Sequence, residues 1–159
     1  MKTETLMCQR LIPLFLLFFM STLAIANDNI PENVRTAFEQ MFPDVHKQDV
    51  FWEVRKDAIV ATFNEEGGLK KAFFAEDGEW LETRIRLYTS QLPRAVYRYL
   101  EKTHRHSDIT FLAKVLHPGG YFYRIESETF EEVVIEFLDR TGALMDTQQI
   151  RFTEGLELY

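Results

Sequence analysis

The sequence predicts an α+β fold: two tandem helix-plus-antiparallel-sheet units forming one continuous sheet, with both helices on one face. Three observations carry this. Two strand-like pairs are each joined by a short glycine turn, one at Asp77-Gly78 and one at Thr141-Gly142. Glycine accepts φ > 0 without steric penalty, so such turns between apolar runs mark hairpins. Two proline-led amphipathic stretches stand 62 residues apart, with Pro31, Val34 and Phe38 matching Pro93, Val96 and Leu100. The order helix, then about four short strands, occurs twice. One such unit is thin for independent stability. Two side by side can share a sheet and lay both helices on it.

The N-terminus is read apart from the fold. Lys2 and Arg10 precede the apolar run Leu11–Leu23, and Ala24-Ile25-Ala26 supplies small residues where a signal peptidase reads. This is a secretory leader, with cleavage expected after Ala26. The run is short for a membrane span, which needs roughly 20 residues, and polar Asn27-Asp28-Asn29 follows. Cys8 lies before the apolar core, badly placed for lipoprotein acylation. The expected organisation is 1–26 leader, 27–88 first unit and 89–159 second unit.

Removing residues 1–26 leaves 133 residues and takes away Lys2, Arg10 and Glu4, moving the formal charge from −7 to −8. The mature chain has no cysteine, so it needs no disulfide and offers no thiol chemistry. Its size can bury a core without staples. The acidic balance argues against nucleic acid and anionic membrane surfaces, which need clustered Lys and Arg. No stable membrane insertion is expected once the leader is cleaved.

In the first unit, Asp28 or Asn29 is expected to cap a helix with Pro31 in its first turn. Val34, Ala37, Phe38, Met41 and Phe42 form its apolar stripe, and Pro43 stops it. Strands are expected over 50–54 and 58–63, the latter with Ile59, Ala61 and Phe63 on one face. Glu65-Glu66-Gly67-Gly68 is a loop, and the Asp77-Gly78 hairpin closes the unit near Leu87. In the second unit, Ser90 is expected to cap a helix with Pro93 in its first turn. Leu92, Val96, Tyr99, Leu100 and Thr103 are its stripe. Strands are expected over 109–116, 121–126, 130–138 and 144–152, with a tail at 154–159.

Aromatic residues on the strands are the first candidate site: Trp52, Phe74, Trp80, Tyr121 and Tyr123. A sheet face left uncovered by helices presents such residues, with arginine, as binding anchors. Strict alternation puts Trp80 beside Glu82, Arg84 and Arg86, and so on the open face. The plainer reading is ordinary packing. The second candidate is His104-Arg105-His106 with His117, which could ligate zinc if the rings converged. The plainer reading is that cations favour a helix C-terminus. The third is the acidic clusters, which match no calcium-loop spacing and read as strand faces that keep an edge soluble. No Gly-x-Ser-x-Gly elbow or phosphate loop is present, so no catalytic residue and no cofactor is assigned.

The series Pro31-x-x-Val34-x-x-x-Phe38, Phe42-Pro43, Trp52, Phe63, Ala72-x-Phe74, Asp77-Gly78-x-Trp80 and Leu92-Pro93-Arg94-Ala95-Val96 resembles the PepSY-like domains of secreted bacterial proteins. Those domains are similar in fold to β-lactamase inhibitor protein. The resemblance covers about residues 29–152, and its motifs mark turns, caps and core positions. It implies tandem helix-plus-sheet units in the bacterial periplasm. It does not carry over β-lactamase as a target, and the mature chain lacks that inhibitor's disulfides.

The resulting expectation is a secreted or periplasmic, non-enzymatic binding domain. It would act as an inhibitor or modulator of another envelope protein or peptide through its open sheet face. The anchors would be Trp52, Phe74, Trp80, Arg84, Tyr121 and Tyr123. The alternative is a periplasmic small-ligand or metal-binding protein using His104, His106 or His117.

Overall fold

The computed structural model describes residues 30–152. The expected leader, the Asp28 or Asn29 cap and the tail at 154–159 lie outside the described residues.

Helix α1 (Glu32–Met41) precedes strands β1 (Phe51–Val54), β2 (Ile59–Glu65), β3 (Gly68–Phe74) and β4 (Trp80–Arg86). Helix α2 (Arg94–Thr103) precedes β5 (Asp108–His117), β6 (Gly120–Glu128), β7 (Glu132–Leu138) and β8 (Leu144–Arg151). The strands form one open antiparallel sheet in sequence order, from β1 to β8.

Both helices start directly after a proline. Pro31 and Pro93 are the capping residues themselves, with extended backbone and no side-chain cap. The Pro31 carbonyl accepts from the N–H of Val34 and Arg35, and the Pro93 carbonyl from Tyr97. Ser90 therefore does not cap α2; it sits in the 3-10 turn Thr89–Gln91. Proline supplies no N–H but a fixed φ, which suits a position where that donor has no partner anyway. Thr103 is exposed and drops out of the expected stripe, whereas Val96 is fully buried.

The register shows which face the helices cover. Phe63, Lys70, Ile85, Lys114, Tyr123 and Leu138 form one row across the sheet. Phe63 belongs to the core that Val34 and Phe38 of α1 close. Tyr123 and Leu138 belong to the core that Val96 of α2 closes. Cross-strand partners share a face, so both helices lie on the same side. Among the described residues the other side of the sheet carries no helix.

Each half ends in the same kind of hairpin. Gly78 N–H donates to the Ala75 carbonyl and Gly142 N–H to that of Asp139, both at 3.0 Å. The two glycines have φ of +91° and +82°. A Cβ on Gly78 would lie 3.0 Å from the Asn33 carbonyl oxygen, and one on Gly142 3.0 Å from the Ala95 carbonyl carbon. Each hairpin tip thus presses on the first turn of its own helix. Each hairpin also carries a register shift, at Phe73/Phe74 and at Phe137/Leu138, so that Phe74 pairs with Trp80 and Leu138 with Leu144.

The sheet's two edges differ. β1 has four residues, whereas β8 has eight, all exposed. Among the described residues β8 has no strand on its outer side. No described helix is long and apolar enough to cross a membrane.

Candidate functional site: the uncovered sheet face

Five of the six expected anchors lie on the helix-covered side. Phe74 is completely buried in the first core, and Trp52 and Trp80 pack against it. The Trp52 ring meets Phe38 of α1 at 5.3 Å. Tyr123 is buried in the second core. Tyr121 shares the row of Ala61, Ala72, Thr83 and Leu116, and its ring meets Tyr123 at 5.9 Å. It is 38% exposed, under the Lys114 ammonium at 4.2 Å.

Trp80 was expected beside Glu82, Arg84 and Arg86. The register shift separates them. Phe73 pairs with Glu82 while Phe74 pairs with Trp80, so Leu81 is the extra residue of a bulge. An extra residue reverses the alternation beyond it, which turns Trp80 onto the helix side, where its indole N–H donates to Thr83 Oγ1 at 2.9 Å. Among the six, Arg84 lies on the uncovered face.

That face is a mosaic of phenylalanine and arginine. The Arg84 guanidinium stands 4.4 Å from the centre of the Phe73 ring, Arg86 4.6 Å from Phe111, and Arg124 5.8 Å from Phe137. Phe122 meets Phe137 edge-on at 5.7 Å. Each contact of this kind contributes on the order of 0.5–1 kcal/mol where exposed. Carboxylates are interleaved. Arg84 Nε donates to Glu82 at 2.6 Å and Arg124 Nε to Glu126 at 2.8 Å. Beneath the long side chains Val60, Ala113 and Val115 are buried, because arginine stems cover apolar surface while their heads stay wet.

The centre of the face is cationic although the chain carries a net −7. Across β3–β6 the register places Lys71, Arg84, Arg86 and Arg124 on this side, with Glu82 and Glu126 among them and the Asp108–Glu128 pair at the far end of β5 and β6. Beside this band a cavity of about 300 Å³ opens between the β1–β2 turn and β4, lined by Arg55, Asp57, Ala58, Phe73, Glu82 and Arg84. Arg55 Nη2 donates to Glu53 at 2.9 Å. That hydrogen bond holds the Glu53 carboxyl below its ordinary value and raises Arg55.

Sequence reading missed Phe73, Phe111, Phe122 and Phe137. One signal was available: adjacent Phe73 and Phe74 must point to opposite faces of a strand, so one of them had to face the helix-free side.

The histidines do not converge. His104 is buried at the end of α2, with Nε2 2.5 Å from Glu136 Oε2. Tyr99 OH donates to the other oxygen of Glu136 at 2.8 Å. His117 Nδ1 accepts from the Gly119 N–H, its ring against Phe122. His106 is exposed. Among the described residues no three His, Cys, Asp or Glu side chains are placed to hold a metal.

This architecture has relatives. The profile of a family described provisionally as beta-lactamase-inhibitor-like and PepSY-like matches residues 57–146, more than half of the chain. The chain belongs to the PepSY-like family. Solved structures share the PepSY-like fold at low identity. A DUF2874 family protein of Bacteroides ovatus is 22% identical, with a TM-score of 0.70 over 77% of this chain and 89% of that one. A BLIP-like protein of Bacteroides fragilis is 17% identical, with a TM-score of 0.68 over 79% and 89%. A Bacteroides eggerthii protein with a provisional periplasmic assignment is 19% identical, with a TM-score of 0.67 over 76% and 88%. Among curated proteins none matches the chain.

Proposed function

We propose that this PepSY-like chain is a secreted, non-enzymatic binding domain of the bacterial envelope. It meets a protein or peptide partner with the uncovered sheet face and thereby inhibits or modulates it. The carrying observation is the face itself: a phenylalanine–arginine mosaic, cationic at its centre, with both helices on the opposite side. Arginine and aromatic side chains dominate binding energy at protein interfaces. An acidic chain with a cationic patch steers an acidic partner to that patch. The leader-like N-terminus supports export, as does the provisional periplasmic assignment of one structural relative.

The same reading takes residues 27–88 and 89–159 as two copies of one unit. Support comes from the matching hairpins, each with a bulge and a glycine pressed on the first turn of its helix.

A photo-crosslinking experiment tests the binding reading. A benzophenone side chain is placed at Arg86 on the uncovered face or at Glu101 on the back of α2, and envelope extract is added. A protein captured from position 86 alone supports the assignment. Capture from position 101 alone, or equally from both, overturns it.

A further inference from the structure

We propose that the cavity between the β1–β2 turn and β4 binds a carboxylate carried beside an apolar group. The inference rests on the uncovered face being the binding surface, and it names the chemistry that face recognises.

The cavity has an apolar floor and a wall of two arginines interleaved with Asp57 and Glu82. Phe73 and Ala58 form the floor and Leu81 one side. Two guanidiniums converge over the Phe73 ring: Arg84 at 4.4 Å from its centre and Arg55 at 5.8 Å. They come from different elements, Arg84 from β4 and Arg55 from the β1–β2 turn. Each is tied to one carboxylate. Arg84 uses Nε toward Glu82, and Arg55 uses Nη2 toward Glu53. A guanidinium has five N–H donors. Among the described residues each of these guanidiniums is tied to a single carboxylate, which leaves donors over for a ligand.

Those spare donors decide the ligand's charge. A carboxylate accepts from a guanidinium fork in bidentate fashion. A cation has no comparable place, because the Arg84 guanidinium already covers the Phe73 ring. The other charged groups here are Lys71, which pairs across from Arg84, and Asp57 on the β1–β2 turn. Lys71 adds to the attraction. Asp57 opposes it and competes for Arg55. The apolar floor then takes whatever is attached to the carboxylate, and about 300 Å³ is the lower end of ordinary ligand cavities. Two sources of this chemistry fit: a chain terminus ending in an apolar residue, and an acidic side chain next to an apolar one.

The test is a titration of the isotope-labelled chain followed by amide NMR. N-acetyl-leucine presents a terminal carboxylate, N-acetyl-leucinamide is its neutral twin, and acetyl-Glu-Leu-amide presents a side-chain carboxylate. Saturable shifts at Arg55, Phe73 and Arg84 with either acid, absent with the amide, are expected, and the better acid identifies the source. Arg84→Gln or Arg55→Gln weakens binding about tenfold, the size of one charged hydrogen bond. Asp57→Asn tightens it roughly two- to threefold by removing a like charge. Unchanged resonances around Val96 certify the fold of each variant. Equal shifts with acid and amide, or full affinity in the folded Arg84→Gln protein, overturn the proposal. If the acids fail while position 86 still captures a partner, the face reading stands and the carboxylate assignment falls.

Discussion

At the end of α1, Phe42 lies 4.6 Å from Phe63 and 5.2 Å from Phe38, ring against ring. Sixty-two residues later, the end of α2 carries His104, whose ring nitrogen meets buried Glu136, itself held by Tyr99. The two halves share a hairpin and a helix placement but close this corner differently. Apolar contact tolerates repacking. A buried acid–base contact does not, since each polar atom is costly once its partner moves. At this corner the first half is therefore held by contact between rings, and the second by a specific geometry between α2 and β7.

The largest expected effect tests the aromatic half. Phe38→Ala removes a ring that meets Phe42, Trp52, Phe63 and Phe74, and should cost about 4 kcal/mol in urea unfolding. A cost below about 1 kcal/mol would mean that this core does not depend on its phenylalanine network.

The polar corner comes next. Glu136→Ala strands His104 and Tyr99 and should cost roughly 3 kcal/mol. Replacing the pair together, as His104→Phe with Glu136→Leu, rebuilds the corner in the manner of the first half and should fall within about 1 kcal/mol of the native chain. A double variant as unstable as the single one would show that the acid–base contact cannot be exchanged for apolar packing.

The hairpin tips should respond alike. Gly78→Ala and Gly142→Ala each force a Cβ into a helix backbone at 3.0 Å from a positive φ. Each should cost roughly 2 kcal/mol. A clear difference between the two would break the equivalence of the halves at that point.

The smallest effect is a pH effect. Burial, then the hydrogen bond to Glu136, pushes the Tyr99 hydroxyl up to about 12 from an ordinary 10. A folded value above the unfolded one means this stabilisation is complete below pH 10 and is lost as pH rises toward 12. Tyr99→Phe should cost about 1 kcal/mol at neutral pH and flatten the alkaline limb of the stability curve. An alkaline limb identical to the native chain's would remove Tyr99 as its source.

How far the fold could be read in advance varies by feature. The hairpin turns at Asp77-Gly78 and Thr141-Gly142 are local, fixed by glycine's φ, and all eight strands could be placed from alternation and turns. The uncovered face could not be read as reliably, because alternation counts residues and a bulge adds one. That single residue, Leu81, moved Trp80 to the helix side while Arg84 kept its place on the other. The Glu136 contact was out of reach for a different reason: its partners stand 32 and 37 residues away and meet only once α2 has docked. The α2 cap was misjudged because a proline's fixed φ did the work assigned to Ser90.

The unequal edges of the sheet bear on how copies of this chain could polymerise. Open-ended growth requires each molecule to present one edge to the opposite edge of the next. Here that junction would match four residues of β1 with eight of β8, leaving about half of the longer strand's backbone groups without a mate. Fibre growth along the sheet is thus frustrated by a length mismatch, a safeguard that needs no proline and no lysine on the exposed strand.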